Sequence, residues 1–276
     1  MPFTPQAAAR LIRRRFLRTG LAALVAAVLF WGLYVQQRWA RQAEQRLADA
    51  LQVAGGRVDL RPPLRSRLEA LYRRQPANGT EVFLGDGIDD TWIEEHGYLV
   101  DLPIDGLTIG NAQVTAPVLA RLLSVQPVKT FYAGGETVTD DVVAALADNA
   151  NLQQLMLGYS GLTDAQLERL PLEQLEQLDV AGTQVTSAGL KELRRCSRLT
   201  SLSIDGKQFT ADAVSTLQSL FQLTDLTLAG SNVTRDHLAH LPDLQQVERV
   251  RLWYSRVTEN ELSEIQKSAP RPRINW

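Results

Sequence analysis

Apolar and polar positions across residues 80–269 repeat with a period of about two dozen residues. One unit reads Leu152, Leu155, Leu157, Leu162, Thr163, Leu167, Leu170; the next reads Leu175, Leu178, Val180, Val185, Thr186, Leu190, Leu193. The same template fits from residues 104, 128, 199, 223 and 247, and its threonine returns at 91, 115, 139, 163, 186, 210, 234 and 258. Spacing held over that many turns marks a repeat architecture. Two apolar residues separated by one polar residue, as in Leu155 and Leu157 or Leu202 and Ile204, predict a short strand showing one face to a core. After each threonine from 115 onward, apolar positions follow four and seven residues later, as Val143 and Leu146 follow Thr139, which is one face of a helix. Threonine beside aspartate, as in Thr139-Asp140 and Thr163-Asp164, suits a helix N-cap: the hydroxyl accepts an unpaired amide and the carboxylate favours the positive helix end. Each unit should run strand, tight turn, helix, return.

A single unit cannot fold alone. Burying six or seven apolar side chains at about 1.5–3 kcal/mol each does not offset ordering two dozen residues at about 1–2 kcal/mol each. Stacked units share a continuous core, with strands in a parallel sheet on one side and helices on the other. The expected fold is therefore α/β.

These residues resemble the leucine-rich repeats, whose L-x-x-L-x-L-x-x-N-x-L pattern is matched by Leu152, Leu155, Leu157, Ser160 and Leu162. The unit length and helical return are similar to the ribonuclease-inhibitor-like or GALA-like classes. The resemblance covers residues 80–269 and implies a solenoid, a curved parallel sheet on the concave side and helices on the convex side. One departure stands out. The family's ladder asparagine is replaced by Ser160, Thr183, Ser231 and Ser255, and elsewhere by Ala112, Glu136 and Lys207. Hydroxyls can bond the turn backbone, but with fewer partners than an amide. The family mostly supplies a binding scaffold, so the resemblance is nearly silent on the ligand.

Function is sought on the outward strand residues, Thr108, Tyr132, Met156, Asp179, Ser203, Thr227 and Arg251. Large groups gather at two ends of that series. Tyr132, Met156 and Tyr159 stand toward the N-terminal side, Arg249, Arg251, Trp253 and Tyr254 toward the C-terminal side, and these residue types are enriched in protein interfaces. Asp179, Asp205 and Asp225 make the middle mildly acidic, which suits a basic or mixed-charge partner. An alternative has Trp253 and Tyr254 cover the last unit's core together with the tail at 270–276, because terminal units need a cap. Glycines 110, 134, 135, 158, 182, 206 and 230 flank the series at the turns and serve the backbone.

The N-terminus has another pattern. Arg10, Arg13, Arg14, Arg15 and Arg18 precede an uninterrupted apolar run from Gly20 to Val35, which reads as a membrane-targeting segment. No small-x-small cleavage site follows it, so an uncleaved anchor at 20–36 is favoured over a signal peptide. The arginine bias places the basic tail, 1–19, in the cytoplasm and the repeats outside it. Arg13 to Arg18 also looks like the twin-arginine export motif, with Ile12 and Arg18 departing from it. Residues 37–79 should form a helical stalk and N-terminal cap, with Gly55-Gly56 ending the first helix and Pro62-Pro63 opening a second. Its apolar stripe, which includes Leu47 and Leu51, packs against its own domain, forms a seam with a second copy or lies on the membrane surface.

Composition narrows the chemistry. With 276 residues, 22% charged and a net charge of −2, nothing points to nucleic acid. The single Cys196 forms no disulfide within the chain and reads as buried filler. Residues 85–90 crowd carboxylates without the spacing of a calcium loop, and His237 and His240 lack further ligands for a metal. No G-x-S-x-G, H-E-x-x-H or phosphate-loop motif is present. The sequence thus suggests a membrane-anchored, single-pass binding protein without enzymatic activity, cofactor or metal, whose partner is a protein or envelope component. A scaffold self-associating through its stalk is the second reading.

Overall fold

The computed structural model describes residues 42, 45–59, 80–97, 104–126, 128–230, 232–268 and 272–275. The anchor expected at 20–36 and the helix expected to begin at Pro62 lie outside the described residues. Among the described residues no helix is long and apolar enough to cross a membrane. The chain divides into two units, Met1–Asp49 and Ala50–Trp276. In the first, residues 45–49 are helical.

In the second unit, residues 50–53 are helical and stop at the glycine pair, as the sequence implies. Gly55 takes φ +78°, its N–H donates to the Gln52 carbonyl, and the Gly56 N–H donates to the Leu51 carbonyl at 2.7 Å. Both bonds satisfy carbonyls left open by the helix end. A ten-stranded sheet then takes its strands in chain order: β1 Arg57–Asp59, β2 Glu81–Leu84, β3 Gly106–Ile109, β4 Thr130–Tyr132, β5 Gln154–Met156, β6 Gln177–Asp179, β7 Ser201–Asp205, β8 Asp225–Ala229, β9 Arg249–Trp253 and β10 Arg273–Asn275. β1 is antiparallel to β2, and every later pairing is parallel. The sheet therefore begins inside the expected stalk and cap, between the two helices expected there, and β10 arises from residues expected to form a tail.

Register aligns Val82, Leu107, Phe131, Leu155, Leu178, Leu202, Leu226, Val250 and Ile274 in one row. All are buried. Helices carry the chain back from strand to strand, at Asp90–Glu95, Ala116–Val125, Asp140–Ala147, Asp164–Arg169, Ala211–Gln218, Arg235–Leu238 and Glu259–Ser268. In the returns that follow Thr115 to Thr234 the apolar pair is buried, as with Leu119 and Leu122, Val143 and Leu146, and Leu167 and Leu170. One return differs from expectation: Gly189–Arg195 forms a 3-10 helix. A side chain on Gly189 would strike the Asp164 carboxylate, so glycine is what allows that close approach.

The threonine caps hold in part. Thr163 and Thr210 accept the N–H three residues on, while Thr258 forms a reciprocal pair with Glu261. Thr91 departs from the series. It lies within the first helix, and the Asp89 carboxylate caps the end by accepting the Trp92 N–H at 2.8 Å. Neighbouring aspartates do more than favour the helix end. Asp90 accepts both the N–H and the hydroxyl of Thr115, at 2.7 and 2.6 Å, and Asp164 binds Thr186 in the same way, at 2.7 Å for each bond. Such bonds tie one unit to the next.

Behind the strands, Ser160 donates to the Leu157 carbonyl at 2.7 Å and Thr183 to the Val180 carbonyl at 2.6 Å. In the unit from residue 199 the sequence count places Lys207 there, yet the buried residue is Gln208, 0% exposed. Its amide donates to the Val185 carbonyl at 2.7 Å and accepts the Asp205 N–H at 2.6 Å. The reason is local: β7 runs into a 3-10 turn at Gly206–Gln208, which moves the inward position along by one. Cys196 is buried as expected, and burial pushes its thiol up to about 12.

Candidate functional site

Strand alternation places a second row on the side opposite the core. Phe83, Thr108, Tyr132, Met156, Asp179, Ser203, Thr227, Arg251 and Asn275 stand in register across β2 to β10. All seven outward residues expected from the sequence occupy this row. Phe83 and Asn275 extend it. Tyr132 and Arg251 are exposed and Met156 and Asp179 half-exposed. Thr227 departs from expectation by being only 7% exposed. A parallel sheet is ordinarily covered on both faces, so a row of half-exposed side chains across this one is a notable surface.

Charge along the row is uneven. Burial raises the Asp179 carboxyl above the ordinary carboxylate range, against the lowering effect of the Ala181 N–H and the Ser203 hydroxyl. Asp225 shows the reverse: hydrogen bonds from Arg249 hold it low. The Arg249 guanidinium grips Asp225 through two bonds, and Arg251 approaches it at 3.6 Å. Two arginines expected to face a partner are thus already paired with an acid in the same sheet. Burial, then Glu81, raises the Tyr132 hydroxyl.

The turn after each strand adds a feature that strand counting missed. Seven residues into five of the units stand Gly135, Tyr159, Gly182, Gly230 and Tyr254, all at positive φ, 62°, 58°, 69°, 96° and 56°; the unit between those of Gly182 and Gly230 has Gly206 there, inside a 3-10 helix. Glycine enters that region freely, whereas another residue costs about 1–2 kcal/mol. Tyrosine therefore occupies two positions that the backbone reserves for glycine. The column was visible in the sequence as a run of glycines interrupted by two tyrosines. Tyr159 and Tyr254 are 59% and 80% exposed. The Tyr159 ring lies over the next unit's turn, where a Cβ on Gly182 would come within 2.6 Å of Cδ1. Flanking glycines here are the room that neighbouring side chains occupy; Gly158 does the same for the Asp179 carboxylate.

Burial raises the Tyr159 hydroxyl, and so do the nearby Tyr254 hydroxyl and the Asp179 and Asp205 carboxylates. Tyr159 and Tyr254, expected at opposite ends of the series, are thus within electrostatic reach of each other, with β6, β7 and β8 between their turns. Of the groups expected to cover the last unit, the tail is the one that lies against it. Ile274, 7% exposed, pairs with Val250 through β10, while Trp253 remains 48% exposed. Trp253 and Tyr254 do not seal the core.

The remaining candidates have structural duties. Asp89 and Asp90 of the acidic stretch are the cap and inter-unit acceptors already described. His237 accepts the Thr234 N–H through Nδ1 at 3.2 Å. No protein-family model matches the chain, and no curated protein matches it.

Proposed function

We propose that the chain is a single-pass, membrane-anchored protein of the leucine-rich repeat type. In this reading it is a curved solenoid whose strands line the concave side, and its sheet face binds another protein or an envelope component outside the cytoplasm. One observation carries the reading. Of seven large hydrophobic residues exposed among the described ones, four, Tyr132, Tyr159, Trp253 and Tyr254, lie on strands or the turns that follow them. Aromatics gathered on one surface suit a binding face. The proposed role is binding, without catalysis or cofactor. The apolar run from Gly20 to Val35 and the five arginines before it support an anchor with its N-terminus inside.

Capture from envelope extracts by the detergent-solubilised full chain tests the binding face. Tyr132→Ala with Met156→Ala should abolish capture with little change in melting, and undiminished capture would reject the face. A reporter fused at residue 276 should behave as exported; activity confined to the cytoplasm would reverse the proposed orientation.

A further inference from the structure

Tyr159 and Tyr254 repeat one costly arrangement in two units, and the fold gains little from it. Both hold positive φ where Gly135, Gly182 and Gly230 do so freely, and both rings remain largely exposed. Residues kept in a sparsely populated conformation gather where a ligand needs them. β6, β7 and β8 lie between the two turns in sheet order, and the first two bring Asp179 and Asp205. Neither carboxylate has a cationic partner among the described residues. Asp179 accepts the Ala181 N–H at 2.9 Å and Asp205 the Lys207 N–H at 3.2 Å, while the Lys207 ammonium turns to the Thr183 carbonyl at 2.9 Å. Asp225, by contrast, is gripped by Arg249. The charges that reach the Tyr159 hydroxyl are acidic or phenolic.

We infer that Tyr159 and Tyr254, with Asp179 and Asp205, seat a lysine or arginine side chain from a basic segment of a protein partner. An aromatic face attracts a cation through its quadrupole, and a carboxylate without a cation supplies a charge-assisted acceptor. The inference rests on the binding face proposed above and gives its partner a chemistry.

The probe is a fluorescent hexalysine peptide titrated into the detergent-solubilised full chain, beside hexaglutamate and the neutral sugar cellohexaose. Hexalysine should bind, and bind more weakly as salt is added. Tyr159→Gly with Tyr254→Gly should weaken it at least tenfold with melting unchanged or raised, since glycine is the residue other units use there. Asp179→Asn with Asp205→Asn should also weaken it at least tenfold by removing charge alone. Absence of hexalysine binding, equal binding by the tyrosine variant, or preference for hexaglutamate or cellohexaose overturns the inference. Intact hexalysine binding in the tyrosine variant, with envelope capture lost in the Tyr132→Ala, Met156→Ala chain, rejects this seat and keeps the wider face. Lost hexalysine binding in the tyrosine variant with undiminished capture in that chain does the reverse.

Discussion

Leu155, Leu178, Leu202 and Leu226 occupy one buried position in four consecutive strands, each no more than 1% exposed. Only a few residues further on, five turns hold Gly135, Tyr159, Gly182, Gly230 and Tyr254 at positive φ. In the first region a single residue type answers a single environment. In the second, the same positive φ is met by two different side chains, and the larger choice is the strained one. Volume and burial select the buried layer. Backbone preference alone would place glycine in every turn, so the two tyrosines answer to something outside the backbone.

Breaking the uniform region should have the largest effect. Leu178→Ala should lower stability by about 2–5 kcal/mol through the cavity it opens between units, read as a shift in denaturant midpoint. A change within error would mean that the strand faces water where it is assigned to the core. Next in size is Gln208→Ala, which leaves the Val185 carbonyl and the Asp205 N–H without their buried partner. A loss of about 1–3 kcal/mol is expected. The same measurement on Lys207→Ala should give a smaller loss, because Gln208 holds the inward position.

Within the turns, Gly182→Ala should cost about 1–2 kcal/mol, since alanine resists the left-handed region and its methyl would meet the Tyr159 ring. Combining it with Tyr159→Gly removes the steric part and should recover some of the loss. The smallest effect belongs to Asp179. Burial raises its folded-state pKa above the ordinary 3.8, so the folded chain binds a proton more readily than the unfolded one and stability falls as pH rises through the raised value. Asp179→Asn removes that penalty. Its melting temperature should exceed wild type at neutral pH, and the gap should close as pH falls toward the ordinary carboxylate range.

Much of the fold was legible in the sequence. The leucine period places every strand from β3 to β9, and the apolar pairs after each threonine mark the returning helices. Sequence counting fails where turn length changes without altering the period. Thr91 keeps its spacing, yet the register between β2 and β3 is offset by one residue more than the threonine interval, Glu81 pairing with Gly106, and Asp89 takes over the cap. Lys207 gives way to Gln208 because a 3-10 turn inserts before the inward position. The outward row was legible from strand alternation. The pairing of Arg249 with Asp225 was not, because cross-strand side-chain geometry depends on register that a single unit does not display. The electrostatic influence of Tyr254 on Tyr159 was hidden as well, since four units of chain separate them.

Whether the turn tyrosines serve the fold or something beyond it is decided most directly by thermal unfolding of the full chain carrying Tyr159→Gly and Tyr254→Gly. Glycine relieves up to about 1–2 kcal/mol at each position and gives up rings that are mostly in water. The account predicts a midpoint equal to or above that of wild type. A midpoint several degrees lower would mean that the rings hold the turns together, and would contradict it.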